Sequence, residues 1–181
     1  MNEQFKLPLI DCDILARRVV EVGKPAYKKI VKIFGTKILD SNKKEIDRKV
    51  LAEIVFNDKK LRGKLTMTTG WYISLEILKE IFVFSRTQRE PIVLDAPLLF
   101  ESKYLQYLCF PIIVTYMSDT DKQIKRVVNR GGITKEEASK RLSSQMPTEK
   151  KLAMADIKLN NEGDVEDLKR NLINQLIPYI M

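Results

Sequence analysis

The apolar run from Leu7 to Ile10 ends abruptly in two carboxylates, Asp11 and Asp13, where a helical pattern begins at once. A short, continuous apolar run suits a strand covered on both faces, which is the situation in a parallel sheet flanked by helices. The layout recurs at "PIVLDAP" (91–97), again with an aspartate closing the run, and "PIIVTYM" (111–117) is a third proline-bounded strand. "DIKLNN" (156–161) reads as a last short one. Helical patterns fill the intervals. Ile14, Leu15, Val19 and Val20 mark a short helix with Asp13 at its N-cap position. "EIDRKVLAEIVFND" (45–58) is a helix capped by Asp47, with Val50, Leu51, Ile54 and Val55 on one face. A long helix is predicted over about Thr69 to Phe84, and another starts at Asp121 or Asp119 and carries Ile124, Val127 and Val128. Thr134 and Glu137 form a capping-box pattern for the next helix. A C-terminal helix capped near Asp164 carries Val165, Leu168, Leu172, Leu176 and Ile180 on its apolar face. The alternation specifies an α/β fold, and the absence of repeats or a linker-like stretch reads as a single domain over residues 1–181.

Composition narrows the chemistry. The chain has no histidine, which removes every mechanism needing a histidine base, nucleophile or ligand. Its two cysteines, Cys12 and Cys109, are too few for a disulfide framework or a cysteine-built metal site, and no metal-ligating residues are assigned. No apolar run approaches the roughly 18 residues of a membrane span, and "MNEQFK" lacks the layout of a secretory signal. A cytoplasmic location is expected, with organellar association left open. The formal charge is +8, and Lys122–Lys151 holds nine basic residues against three acidic ones. Such a surplus suits an anionic partner: a polyphosphate, a lipid surface or nucleic acid.

Carboxylates at the carboxyl ends of parallel strands face the crevice where open α/β sheets bind ligands. Asp11 and Asp13, two residues apart, would point to one side of an extended strand. Without histidine, one of them is the candidate base for a hydroxyl nucleophile. Asp95 of "DAPLLFE" (95–101) is placed to position a substrate hydroxyl or a magnesium-bound water. Lys122, Arg126 and Arg130 recur every four residues, one stripe on a helix, and Arg141 with Gln145 extends a similar face on the next. Arginine offers forked donors that match phosphate oxygens. The two helices, joined at "NRGGIT" by Gly131 and Gly132, have the form of a lid over a phosphate chain. Aromatic residues are sparse near this stripe, which argues against the stacking platform of a single-strand nucleic-acid binder.

Read together, "IDCDILAR", "GKPAYKKIVKIFG", "EIDRKVLAEIVFND", "DAPLLFE", "RVVNRGGITKEEASKRLSSQMPTEKKLAMAD" and "NNEG" resemble the dephospho-coenzyme A kinases, members of the P-loop kinase superfamily. The wording is nearest that of the animal versions. The resemblance implies a P-loop kinase-like parallel sheet with a helical lid. It implies ATP-dependent phosphorylation of the 3′-hydroxyl of dephospho-coenzyme A, the last step of coenzyme A biosynthesis, with ATP and magnesium as cofactors. By the same match Asp13 would be the base and Arg126 would stabilise the transferring phosphoryl group, helped by Arg130 and Arg141. Asp11, Arg17 and Asp95 would lie at the acceptor, and Asn161 and Gly163 near the adenine of ATP. Val22, the pair Gly70-Trp71, Gly131 and the pair Asn160-Asn161 depart from the family's usual residues.

The family opens with a strand and a phosphate-binding loop, G-x-x-x-x-G-K-[ST]. Of the seven glycines here, only Gly23 and Gly63 precede a lysine, and neither has a glycine five positions earlier. "EQFKLPLIDCD" instead resembles the end of the family's first helix running into its second strand. The expectation is an N-terminally truncated chain without the first, central strand and the loop, about two dozen residues by the family's pattern. Little or no kinase activity is expected of it alone. Two further readings remain: a non-catalytic binder of coenzyme A derivatives, and a basic polyanion or nucleic-acid binder whose binding would fall steeply with salt.

Overall fold

A computed structural model describes residues 7–87, 90–102 and 104–180, except the side chains of Asn57, Arg141 and Ile180. The reading of "EQFK" as a helix end falls outside the described residues. The chain divides into two compact units, with the division between Pro97 and Leu98.

In the N-terminal unit, strand β1 (Leu9–Asp11) pairs in parallel with β2 (Val93–Asp95), Ile10 opposite Leu94 and Asp11 opposite Asp95. The predicted strand, Leu7–Ile10, is displaced towards its acidic end. Pro8 has no amide to donate and contributes only its carbonyl, which accepts from the Val93 amide at 2.8 Å. The strand then runs to Asp11, whose carboxylate accepts from the amides of Asp13 and Ile14 at 2.8 and 2.9 Å and so caps helix α1 (Cys12–Arg18). The cap is therefore Asp11 and not Asp13. Asp13 lies in the first turn of the helix, so the argument that two strand residues share a side does not apply to it.

Helix α2 (Pro25–Phe34) starts on a proline, where the missing amide costs nothing, and buries Ala26, Ile30 and Phe34 at four-residue spacing. It ends at Gly35, whose φ of +78° favours glycine. A 3₁₀ turn (Thr36–Ile38) follows and leads towards helix α3 (Arg48–Asn57), capped by Asp47 as the sequence predicts. Ile30, Phe34, Ile38 and Leu51 form the core here, and Ile54, Val55, Leu61 and Leu65 pack against it. Helix α4 (Lys59–Thr87) is longer than the predicted Thr69–Phe84. Asp58 caps it through the amides of Lys60 and Leu61 at 2.8 and 3.0 Å. Gly63 and Gly70 ride inside it, because packing against α1, α2 and α3 outweighs a propensity cost of about 1 kcal/mol per glycine.

In the C-terminal unit, β3 (Ile113–Tyr116) pairs in parallel with β4 (Ile157–Asn160). Ile157 and Leu159 on β4 pack against Leu168, Leu172 and Leu176 of helix α8 (Val165–Ile180). Asp164 accepts from the Asp167 amide at 2.8 Å, the predicted cap. Between the strands lie α5 (Thr120–Gly131), capped by Asp119, then α6 (Lys135–Ser143) with the Thr134–Glu137 capping box, and α7 (Thr148–Ala153). The α5–α6 turn needs one glycine in the left-handed region: Gly132 has φ of +57° and donates to the Val128 carbonyl, while Gly131 is helical. The fold is thus α/β with parallel strands. Full burial was expected for the second and third apolar runs, but Val93, Leu94, Ile113 and Val114 are only half-buried. Among the described residues each strand pairs with one other strand only.

Candidate active site

The three acidic candidates lie in the N-terminal unit. Asp11 and Asp95 are register partners at the carboxyl ends of β1 and β2, and Asp13 follows on the first turn of α1. Burial pushes the Asp95 carboxyl above the usual aspartate range, and the charges of Asp11 and Asp13 add to the rise. Asp11 and Asp13 thus both act on Asp95 at one sheet end, although Asp11 is already engaged as a helix cap. Asp13 makes no side-chain hydrogen bond or ion pair among the described residues, so its oxygens stay available to an incoming hydroxyl. Arg17 is exposed one helical turn beyond Asp13. Among the described residues no group of three or more His, Cys, Asp or Glu side chains is arranged to hold a metal ion.

The rise at Asp95 has a consequence for stability. An acid whose folded pKa exceeds its unfolded value holds its proton more tightly when folded, so deprotonation with rising pH removes stability. Asp95→Asn is expected to raise the urea midpoint at pH 7, with the gain shrinking as pH falls towards about 3.8. Urea titrations at pH 7 and pH 4 check this. A lower midpoint for the variant at pH 7 would show that the ionised carboxylate is stabilising.

The remaining candidates lie in the C-terminal unit. Arg126 on α5 donates through Nη1 to the carbonyl of Asn161 at 2.9 Å, which ties the arginine stripe to the loop after β4. That loop is fastened to the end of β3 at two points: the Asn161 amide donates to the Tyr116 carbonyl, and the Ser118 amide to Glu162, at 2.8 and 2.7 Å. Glu162 also donates its amide to the Asn160 side chain at 2.8 Å. The Ser118 amide holds the Glu162 carboxyl below the usual range. At Gly163 a Cβ would come within 2.9 Å of an Asp167 carboxylate oxygen, so the backbone passes that side chain closely. Arg130 is exposed one turn beyond Arg126. Arg141 lies on α6, and its side chain is outside the described residues.

Two acidic side chains within the motifs fasten neighbouring segments. Glu162 is one, and the signal for it was an acid between asparagine and glycine after a strand. Glu101, which closes "DAPLLFE", is the other: it accepts from the Met146 amide at 3.0 Å and pairs with Lys151 at 3.3 Å. Burial pushes the Glu101 carboxyl up, but the Met146 amide and the Lys151 ammonium outweigh it and hold it below the usual range. Lys151 is thereby withdrawn from the basic surplus, and Lys135 lies 3.9 Å from Asp121. The stretch offers a polyanion less free charge than its composition suggests.

The sequence model of the dephospho-CoA kinase family matches residues 1–167. A dephospho-CoA kinase from Bacillus cereus is 37% identical over 172 residues, covering 95% of this chain and 84% of that one. A dephospho-CoA kinase domain-containing protein from Danio rerio is 36% identical over 171 residues, covering 94% of this chain and 74% of its own length. The likeness thus extends to bacterial and animal relatives. A crystal structure from Thermus thermophilus, 28% identical, superposes with a TM-score of 0.80 over 98% of this chain and 87% of that one. The order of motifs along the chain, its parallel strand pairs and these likenesses agree: the chain belongs to the dephospho-CoA kinase family.

Proposed function

We propose that the chain serves the family's reaction, transfer of the γ-phosphoryl group of ATP to the 3′-hydroxyl of dephospho-CoA. The observation that carries this is the acidic end of the β1–β2 pair, where Asp13 stands uncommitted beside Asp11 and the raised Asp95. Asp13 takes the hydroxyl proton as that oxygen attacks the γ-phosphorus; the bond from phosphorus to the bridging oxygen breaks, and ADP leaves. By the family likeness, Arg126 and Arg130, helped by Arg141, neutralise charge on the transferring group, and Arg17 serves the acceptor. Asn161 and Gly163 border the adenine. Magnesium, when bound with nucleotide, supplies further neutralisation, and Asp95 with Asp11 offers the hard oxygen donors that would hold it.

A second reading is binding of coenzyme A derivatives without transfer, favoured by the lack of G-x-x-x-x-G-K-[ST] in these 181 residues. Calorimetry on the purified polypeptide tests the common element of both. Dephospho-CoA is expected to bind in the absence of ATP, and Asp13→Asn is expected to change that affinity less than about threefold, because a base acts on the transition state. No dephospho-CoA binding by a folded chain would remove both readings. No helix among the described residues is long and apolar enough to cross a membrane.

A further inference from the structure

Two cavities in the N-terminal unit meet at one residue, Arg18. The smaller, about 130 Å³, has Asp11, Arg18 and Glu80 as its charged lining. The larger, about 290 Å³, lies among α1, α2 and α4 and is lined by Arg18, Lys24, Tyr72, Glu76 and Lys79, with an apolar wall of Val19, Pro25 and Leu75. Neither is lined by Asp13 or Arg17. The larger cavity therefore has no role in the proton transfer assigned above, yet it carries more positive charge than negative.

Its charges are arranged around a carboxylate. Lys79 donates to Glu76 at 2.7 Å, and Arg18 to Glu80 at 2.8 Å. Lys24, on the approach to α2, forms no ion pair within 4 Å among the described residues. The Lys79 hydrogen bond holds the Glu76 carboxyl below the usual range; burial opposes this, while the charges of Lys79, Lys24 and Arg18 reinforce it. Lys79 thus holds this carboxylate directly, while Lys24 and Arg18, the latter paired with Glu80, act on it through space, in a cavity large enough for more than a single phosphate-sized group. Tyr72 lines it as well. Forked and ammonium donors around an anion are the recognition chemistry of phosphate esters.

We infer that this larger cavity receives the diphosphate bridge of the acceptor, with Lys24, Lys79 and Arg18 as its ligands and Glu76 as the internal anion it displaces. The inference rests on the reading that the acceptor is dephospho-CoA, in which a diphosphate joins the nucleoside to the pantetheine arm. The nucleoside end then lies towards Arg18 and the Asp11 cavity, and the apolar wall of Val19, Pro25 and Leu75 meets the arm. Lys24 and Lys79 become specificity-determining residues: they favour acceptors carrying the bridge over the bare nucleoside.

The test is calorimetry at fixed ionic strength with three probes, inorganic pyrophosphate, dephospho-CoA and adenosine. The proteins are the wild-type chain, the Lys24→Ala/Lys79→Ala double variant and Glu76→Gln, each checked for folding by circular dichroism. The double variant is expected to weaken pyrophosphate and dephospho-CoA at least tenfold while leaving adenosine within twofold. Glu76→Gln is expected to tighten both diphosphates about threefold or more, because the competing anion is gone. Dephospho-CoA binding that both variants leave unchanged overturns the inference and leaves the proposed function standing. So does an adenosine affinity that falls as far as that for dephospho-CoA. Pyrophosphate binding sensitive to the variants, without any dephospho-CoA binding, overturns the acceptor assignment together with the proposed function.

Discussion

Purified as the 181-residue polypeptide, the chain is expected to turn over ATP and dephospho-CoA at least about 10³-fold more slowly than the Bacillus cereus relative. Phosphoryl transfer needs little covalent chemistry; it depends on alignment and on neutralising charge at the β- and γ-phosphates. Loss of one oxyanion donor alone typically costs about 10²–10³ in rate. A phosphate-binding loop supplies several backbone amides and a lysine together, and none of the seven glycines here lies in such a sequence. What the polypeptide does carry is a candidate base, Asp13, and the arginines of α5. Arg126 is already hydrogen-bonded to the Asn161 carbonyl. A coupled assay of ADP release, run on both proteins at saturating dephospho-CoA, checks the expectation. A rate within tenfold of the relative would mean that other groups gather the nucleotide phosphates, and Arg126→Ala and Arg130→Ala would identify them.

Ile38→Ala is expected to destabilise the N-terminal unit by about 2–5 kcal/mol, a large part of the roughly 5–15 kcal/mol typical of a folded domain. Ile38 is 0% exposed and sits in the 3₁₀ turn between α2 and α3, where it joins Ile30, Phe34 and Leu51. The Asp47 amide pins the Ile38 carbonyl at 2.8 Å, so the turn has little freedom to collapse onto the space a truncation leaves, and the cost should fall in the upper part of that range. Urea titration followed by the helical circular-dichroism signal should show a lower midpoint for the variant. A shift of under 1 kcal/mol would indicate that α3 and α4 close over the gap.

The strands, the order of elements and most helix caps were legible in the sequence because each is set by neighbours within a few residues. Asp47, Asp119 and the Thr134–Glu137 pair cap as their spacing predicts. The errors came where two local signals competed. Asp11 and Asp13 both suit an N-cap, and only the strand's extension to Asp11 decides between them. The predicted start of α4 at Thr69 falls short of the observed Lys59, because packing against α1, α2 and α3 carries the helix further than its local pattern does. The site was legible as residue types and less so as partnerships. Arg126 with the Asn161 carbonyl, Glu162 with the Ser118 amide and Glu101 with the Met146 amide are separated by 35, 44 and 45 residues, and no local pattern announces them. The meeting of Lys24, Arg18, Lys79 and Glu76 on one cavity lining is of the same kind, since α1, the turn before α2 and α4 bring it together.

The cap on α1 also limits how this unit can recognise an anion. A helix start is ordinarily a place where amides meet a phosphate, but here the amides of Asp13 and Ile14 are already held by the Asp11 carboxylate. A phosphate ester in the cavity lined by Arg18, Lys24 and Lys79 therefore meets lysine and arginine side chains that water also reaches, and not the amides of α1. Ionic screening weakens such exposed contacts far more than it weakens a buried nest of amides. Acceptor affinity should therefore decline with rising salt, in the manner of an ion exchanger.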